Sequence, residues 1–239
     1  MKSNKTIGII LRRINLGEAD RILTVLTKNH GKIRVVAKGI RKTLSKLAGH
    51  LEPFCLTELM VTEGKSLNII TSAQVKETYI NLRSNLESTR KAYFLAEVID
   101  KIVDENHPHE EIFDLLKKTL ESINSGSNEL MQSYFEINLL AELGFKPELE
   151  HCLDCHGKLD PQKVLFNAEQ GGLTCGKCSG GREISEKAIK VLRLFLAYNI
   201  SIIDRIKTDE KLTKEILYLT NIYLKTISQQ EFKTERFLK

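Results

Sequence analysis

Two Cys-x-x-Cys pairs constrain the fold of this chain more than any other feature of its sequence. Cys152 and Cys155 form the first pair, Cys175 and Cys178 form the second, and nineteen residues separate the pairs. Two residues between paired thiolates allow one tight turn to present both sulfurs to an ion, and two such turns complete a tetrahedron. We therefore expect these four cysteines to hold one zinc ion in a small ribbon at about residues 148–182.

Four thiolates would close the coordination sphere, so the expected ion is structural rather than catalytic. Two other interpretations stay open, namely a pair of redox dithiols or free buried cysteines, although neither requires two pairs at this spacing. His151 and His156 flank the first pair, and either could replace a thiol as a ligand. The fifth cysteine, Cys55, lies in an apolar run, which is typical of a small buried thiol.

The first 80 residues favour short strands, because β-branched and apolar residues recur in short runs between glycine and polar breaks. The runs cover residues 7–14, 22–27, 32–37, 55–62 and 67–75. Lys28-Asn29-His30-Gly31 joins the second run to the third, and its Asn and Gly are expected to supply the positive φ angles of a tight hairpin. Five strands in this length predict a small barrel.

After residue 80 the apolar residues follow a helical period. The predicted helices cover a stripe from Tyr93 to Val103 and residues 110–123, 130–143, 185–198 and 210–227. Gly144 is placed to end one helix, Ser185 can cap the start of another, and Gly171-Gly172 can turn a hairpin in the ribbon. The predicted fold is α+β, with a five-stranded barrel at residues 1–80 and a mainly α-helical domain at 81–239 that carries the inserted ribbon.

The charged residues are unevenly distributed along the chain. Residues 1–80 carry 14 basic and 6 acidic side chains, whereas residues 81–151 carry 7 and 14. Between Lys28 and Lys46 there are seven Lys or Arg residues and no Asp or Glu. Because charged and apolar positions alternate from residue 32, a pleated strand would place Lys32 and Arg34 together on one face.

A cationic surface of this kind is expected to bind the phosphates of nucleic acid, with an affinity that falls steeply as salt increases. A solvated sheet face without a ligand is the alternative interpretation. Phe54 and Tyr79 are the aromatic residues of this part of the chain, so base stacking and sequence preference should be weak. The candidate DNA-binding residues are Arg12, Arg13, Arg21, Lys32, Arg34, Lys38, Arg41, Lys42 and Lys46.

Several short motifs occur in an order that is typical of one protein family. They are Asp20–Thr27, His30-Gly31-Lys32, Ala37–Arg41, Leu51-Glu52-Pro53-Phe54 and Leu143–Pro147, followed by the four-cysteine insert. Together they resemble the RecO family of bacterial recombination mediators and DNA repair proteins, over nearly the whole chain and most densely at residues 7–80. The resemblance implies an N-terminal oligonucleotide-binding (OB) barrel, a helical domain and a zinc ribbon.

The same resemblance implies a function. It suggests binding to single-stranded and double-stranded DNA, annealing of complementary strands coated with single-strand binding protein, and action with RecR to load the RecA recombinase. The acidic C-terminal tail of single-strand binding protein would require a basic patch, which the sequence does not locate. Some members of the family lack the cysteines, so zinc need not take part in the function.

We expect no catalytic activity, because the sequence has no motif of clustered carboxylates that would hold magnesium. No apolar run approaches the roughly 18 residues that span a bilayer, and the first residues do not resemble a signal peptide. We therefore expect a cytoplasmic, nucleoid-associated protein without a membrane partner. The alternative functions are a zinc-containing protein-interaction adaptor without a direct DNA role, and an enzyme on nucleic acid such as a nuclease.

Overall fold

The computed structural model describes residues 3–126, 129–160, 163–178 and 180–238. The chain falls into two compact units. The first contains the residues up to Ser125 together with the segment from Phe232, and the second runs from Gly126 to Glu231. The boundary between domains near residue 80 stays a prediction.

The first unit begins with five strands that close into a barrel. The strands are β1 (Ser3–Leu16), β2 (Asp20–Thr27), β3 (Gly31–Ala37), β4 (Leu56–Thr62) and β5 (Asn68–Glu77). Their spatial order is β1-β2-β3-β5-β4, with β1 antiparallel to both β2 and β4 and a short parallel pairing of β3 with β5. The five predicted strands and the barrel are confirmed, and the barrel is of the OB type.

Apolar side chains at alternate strand positions fill the barrel interior. Leu23 and Val25 of β2 and Ile33 and Val35 of β3 are all buried in one cluster. Successive side chains of a strand point to opposite faces, so the residues between these positions lie on the outside of the barrel. Arg34, which pairs with a threonine of β2, is therefore an outward residue.

The turn between β2 and β3 requires glycine for two reasons. Gly31 has a φ of +67°, and a Cβ atom there would lie 1.9 Å from the carbonyl oxygen of His107. Thr27 Oγ1 closes the turn, because it accepts a hydrogen bond from the His30 N–H and donates to the Gly31 oxygen. The predicted hairpin is confirmed, but the expectation for Asn29 was wrong. Its φ is not positive, since the threonine hydroxyl stabilises the turn before Gly31.

Three helices complete most of the first unit: α1 (Ile80–Ser84), α2 (Leu86–Ile102) and α3 (Glu110–Asn124). Asn85 caps α2 by accepting a hydrogen bond of 3.0 Å from the Ser88 N–H. The predicted burial of Cys55 is confirmed, and the guanidinium of Arg83 donates to its sulfur at 2.7 Å. Burial raises the pKa of the Cys55 thiol, although the charge of Arg83 opposes that shift.

The last segment of the chain belongs to the first unit as well. Phe232 packs edge-to-face on Phe94 of α2, with ring centroids 5.8 Å apart. The Glu97 carboxylate accepts hydrogen bonds from the Lys233 and Thr234 N–H groups, at 2.9 and 2.8 Å. Burial opposes ionisation of Glu97, but these bonds and that from the Thr234 hydroxyl outweigh it and lower its pKa to about 2.

The second unit combines three helices with a small sheet. The elements are α4 (Leu130–Glu142), β6 (Val164–Asn167), β7 (Gly172–Cys175), β8 (Arg182–Glu183), α5 (Glu186–Ala197) and α6 (Glu210–Ser228). The sheet has the order β7-β6-β8, and the hairpin of β6 and β7 turns at Gly171, whose φ is +78°. The predicted helices and the ribbon hairpin are confirmed, and Ser185 caps α5 by accepting a hydrogen bond from the Ala188 N–H.

The interface of α4 and α6 contains a buried polar group. Glu136 is fully buried, and its carboxylate accepts hydrogen bonds from Gln132 Nε2 and Thr220 Oγ1 at 2.9 and 2.5 Å. These bonds satisfy a group that would otherwise be costly to bury. Within the described residues, no helix is both long and apolar enough to cross a lipid bilayer.

Candidate metal centre and nucleic-acid interface

The first cysteine pair lies in a tight turn that the backbone stabilises. The His156 N–H donates to the Cys152 oxygen at 2.9 Å, and the Cys152 N–H donates to the Gly157 oxygen at 3.1 Å. His156 adopts a φ of +56°, which reverses the chain immediately after Cys155. The turn therefore directs two sulfurs toward the same point.

The second pair begins where β7 ends. Cys175 is the last residue of that strand, and the Cys178 N–H donates to its oxygen at 3.0 Å. Pairing of β6 with β7 places Val164 opposite Cys175, so the hairpin determines the position of the second turn. The Cys175 N–H also donates to Cys152 Sγ at 3.3 Å, which links the two turns directly.

The four sulfur atoms form one cluster of a size that fits a metal ion. All four lie within 4.8 Å of one another, and two pairs of them are separated by 3.9 and 3.4 Å. A zinc ion with sulfur ligands at about 2.3 Å would require edges of about 3.8 Å in a regular tetrahedron. The two cysteine pairs therefore meet at one site and are not two separate dithiols.

The electrostatics of the cluster also suit a cation. The N–H groups of Cys155 and Cys175 lower the pKa of Cys152 to about 6, because they donate to its thiolate. Hydrogen bonds with the neighbouring Cys175 and Cys155 thiols raise the pKa of Cys178 to about 12, because they favour its protonated form. A bound divalent ion would instead favour the thiolate form of all four cysteines. His151 and His156 are not members of the cluster.

The nine candidate DNA-binding residues divide into two groups. In the first group, Arg12 and Arg13 of β1 form ion pairs with Asp100 and Glu52 respectively. Lys32 is 5% exposed and donates to the Asp100 carbonyl oxygen at 2.5 Å, so its expected exposure on the strand face was wrong. Burial lowers the pKa of Lys32, against the opposing charges of nearby acids.

The second group forms what we call the free cationic set. None of its members lies within 4.0 Å of a carboxylate in the described part of the chain. Arg21 is half-buried and the others are exposed. The set comprises Arg21, Arg34, Lys38, Arg41, Lys42 and Lys46.

Most of this set lies on the connection that follows β3, which hydrogen bonds tie to the turn between β1 and β2. Asp20 Oδ1 accepts from the Gly39 N–H at 2.7 Å. The Arg41 N–H donates to the Ala19 oxygen and its guanidinium donates to the Gly17 oxygen, both at 2.9 Å. Hydrogen bonds therefore hold the motif at residues 37–41 beside the start of the motif at residues 20–27.

Neither of the two aromatic residues in the first 80 positions can stack on a DNA base. Phe54 is 2% exposed and Tyr79 is 1% exposed, so both rings belong to the interior. Sequence reasoning missed a cleft of about 490 Å³ in the first unit, where Tyr93 of α2 lies beside side chains of β1 and of the last segment. No local pattern could have indicated this cleft, because it forms where three distant segments meet.

Comparison with known proteins gives a consistent result over the whole chain. Residues 1–79 match the family model for the N terminus of recombination protein O, and residues 83–236 match the model for its C terminus. The DNA repair protein RecO of Dehalococcoides mccartyi is 37% identical over 96% of this chain and 92% of its own length. Those of Desulforamulus reducens and Roseiflexus are 31% and 34% identical, over 94% and 84% of their lengths. The chain therefore belongs to the RecO family of DNA repair and recombination proteins.

Proposed function

We propose that this protein binds single-stranded and double-stranded DNA through the free cationic set of its barrel and anneals complementary strands. The observation that carries the proposal is the absence of carboxylate partners for these six cations in the described residues, beside a barrel of the OB type. Side chains already paired with acids would have to break those pairs before they could bind phosphate. The members of the free cationic set need not break an ion pair before they bind phosphate.

Annealing follows from the same electrostatics. Two DNA strands repel each other through their phosphates, and side chains that neutralise some of them lower the repulsion as the strands approach. Contacts to phosphates carry no sequence information, which suits a protein that must act on any complementary pair. The buried positions of Phe54 and Tyr79 support binding that depends mainly on charge.

Membership of the family supports a wider role. We propose that the protein acts on strands coated with single-strand binding protein, that RecR is its partner, and that together they help to load the RecA recombinase. The acidic C-terminal tail of single-strand binding protein is a further proposed ligand. In this role the protein binds and positions DNA in the cytoplasm, at the nucleoid, and catalyses no bond cleavage.

The cysteine cluster supports a separate proposal, that one structural Zn²⁺ is bound by Cys152, Cys155, Cys175 and Cys178. Sulfur ligands favour zinc over the hard cations magnesium and calcium. The ion would hold the two turns of the ribbon together. Four protein ligands leave it no open position for chemistry.

The experiment that tests the DNA proposal measures annealing of complementary strands coated with single-strand binding protein, with and without RecR. A variant with Arg34→Ala, Lys38→Ala, Arg41→Ala and Lys42→Ala should anneal at least about tenfold more slowly and bind DNA with a smaller dependence on salt. Arg90→Ala with Lys118→Ala removes exposed cations from α2 and α3 and serves as the control.

Two results would contradict the proposal. If the fourfold variant annealed strands at the rate of the unchanged protein, the DNA path would lie elsewhere. If neither the fourfold variant nor the unchanged protein bound DNA at low salt, the alternative function of a protein-interaction adaptor would be favoured. A nuclease would instead reveal itself by metal-dependent cleavage of the same strands.

A further inference from the structure

The connection between β3 and β4 carries an apolar side chain in an unusual position. Leu44 is 93% exposed, which is more than any other large apolar residue in the described ranges. A single exposed leucine is common on protein surfaces and needs no explanation by itself. Leu44 differs from such residues because its backbone is anchored and cations lie near it in the sequence.

The backbone on both sides of Leu44 is held in place. Ile40 is 2% exposed and belongs to the barrel core, and Leu47 packs against the same core. Two backbone hydrogen bonds form successive turns from Gly39 to Ser45: the Lys42 N–H donates to the Gly39 oxygen at 3.1 Å, and the Ser45 N–H donates to the Lys42 oxygen at 2.9 Å. The connection is therefore a pair of hydrogen-bonded turns anchored at both ends, with Leu44 at its exposed part.

Cations without carboxylate partners lie within three residues of Leu44 on both sides. Arg41 and Lys42 precede it, Lys46 follows it, and all three are exposed members of the free cationic set. An apolar side chain flanked by phosphate-binding cations is the arrangement with which proteins wedge between bases, because the cations hold the backbone while the apolar group contacts a base face. No exposed aromatic ring of the barrel strands competes for this role.

We propose that Leu44 packs against the face of an unstacked base of single-stranded DNA while Arg41, Lys42 and Lys46 bind the adjacent phosphates. This inference rests on the proposed function and deepens it, since it names a side chain that contacts a base rather than a phosphate. A base separated from its neighbour by Leu44 would keep its pairing edge free. That edge could then pair with a complementary strand.

The proposal predicts a contribution to binding that is independent of salt. Leu44→Ala should weaken binding of an oligothymidylate by about 5- to 10-fold, which corresponds to burial of roughly half of a leucine side chain. The slope of log affinity against log salt should stay unchanged, because no charge is lost. Lys42→Ala should instead lower that slope by about 0.7, the value for one phosphate contact on a single strand.

A second ligand makes the test specific for bases. An abasic oligomer of the same length has the same phosphates and no bases, so the unchanged protein should bind it more weakly than oligothymidylate. Leu44→Ala should bind both oligomers with nearly equal affinity, and Leu44→Phe should restore the preference for bases, since an aromatic ring stacks on them. Leu86→Ala, at a residue 65% exposed at the start of α2, is the matched control.

The outcomes separate this proposal from the one on which it rests. If Lys42→Ala and Arg41→Ala leave the salt slope unchanged, both the proposed DNA path and the proposed contact of Leu44 with a base are wrong. If those variants lower the slope and Leu44→Ala still discriminates between the oligomers as the unchanged protein does, only the proposed contact of Leu44 with a base is wrong. Thermal unfolding of Leu44→Ala should match that of the unchanged protein, because an exposed side chain contributes little to stability.

Discussion

Lys32 and Arg34 lie two positions apart on β3, on the same face of the strand, but they have different environments. The segment after α2 covers Lys32, since the Asn106 N–H donates to the Lys32 oxygen at 2.9 Å and the Lys32 ammonium donates to the Asp100 carbonyl. No such segment covers Arg34, which is exposed. The alternation of the strand determines the face of a residue, but the elements packed on that face determine its access to a ligand.

This difference gives a prediction at the scale of single residues. Lys32→Ala should lower the free energy of unfolding by about 1–3 kcal/mol, because it removes a buried side chain and its hydrogen bond, and should leave DNA binding unchanged. Arg34→Ala should change stability by less than about 0.5 kcal/mol and should lower the salt slope of DNA binding by about 1.

Denaturant unfolding and DNA binding at several salt concentrations measure both effects. The two variants act as controls for each other. A fall in salt slope for Lys32→Ala without a change in stability would contradict the assignment of its side chain to the interior.

At the scale of elements, the ribbon depends on its four clustered cysteines more than on the packing of its short strands. Its sheet has two strands of four residues and one of two, and a sheet this small is marginal without further support. The cluster of four sulfurs joins the turn at Cys152–Cys155 to the end of β7. A bound ion would supply the stability that the short strands lack.

If the ribbon binds the proposed zinc ion, removal of that ion should unfold the ribbon locally. Structural zinc in small sites contributes on the order of 10 kcal/mol of folding free energy at neutral pH, far more than these strands can supply. Elemental analysis should find one zinc per chain in the unchanged protein and none in Cys175→Ser. Hydrogen exchange of the β6 and β7 amides should accelerate after treatment with a chelator, while exchange in the barrel should not.

Cys55→Ala is the matched control for zinc content, because Cys55 lies in the first unit outside the cluster. It should retain one zinc per chain. Full occupancy in Cys175→Ser would show that the four cysteines do not form the site.

At the scale of the whole molecule, the chain begins and ends in the same unit. The segment from Phe232 returns to α2 after the second unit, where Glu97 accepts its N–H groups and Lys101 lies 5.5 Å from the Phe232 ring centroid. The pKa of Glu97 is lowered to about 2 because these hydrogen bonds favour the carboxylate despite its burial. The ionised Glu97 side chain therefore holds residues 233 and 234 against α2.

This contact predicts a dependence of stability on pH. A carboxyl group whose pKa is lower in the folded state than in the unfolded state stabilises the fold above its unfolded pKa, and this stabilisation is lost as the pH falls toward its folded pKa. Glu97→Gln should lower the free energy of unfolding by about 1–3 kcal/mol at pH 7, and its deficit should shrink between about pH 5 and pH 2.

Urea unfolding at a series of pH values measures this deficit. Glu87→Gln, on the same helix, is the control, because Glu87 is exposed and its pair with Lys91 should contribute less than about 1 kcal/mol. A deficit for Glu97→Gln that stays constant down to pH 2 would mean that its ionisation does not hold the last segment.

Much of the fold follows from local sequence patterns. The alternation in residues 22–37 predicted two strands, and Ser185 predicted the start of α5. The helical period predicted α3 to α6 within one residue at each end, whereas α2 begins seven residues before the predicted stripe. These features depend on neighbours within about one turn or one strand pair, so the sequence contains the information directly. The turn before Gly31 was predicted less well, because the Thr27 hydroxyl replaces a positive φ at Asn29.

The candidate sites were also predicted only in part from the sequence. The spacing of the four cysteines predicted that they meet at one site, and the run of cations between Lys28 and Lys46 predicted a basic surface. Only the tertiary structure decided that Lys32 is buried, that Arg12 and Arg13 are paired, and that Leu44 is exposed. The physical reason is that each of these outcomes depends on burial and pairing by residues distant in sequence, such as Asp100 for Lys32, and no local pattern contains that information.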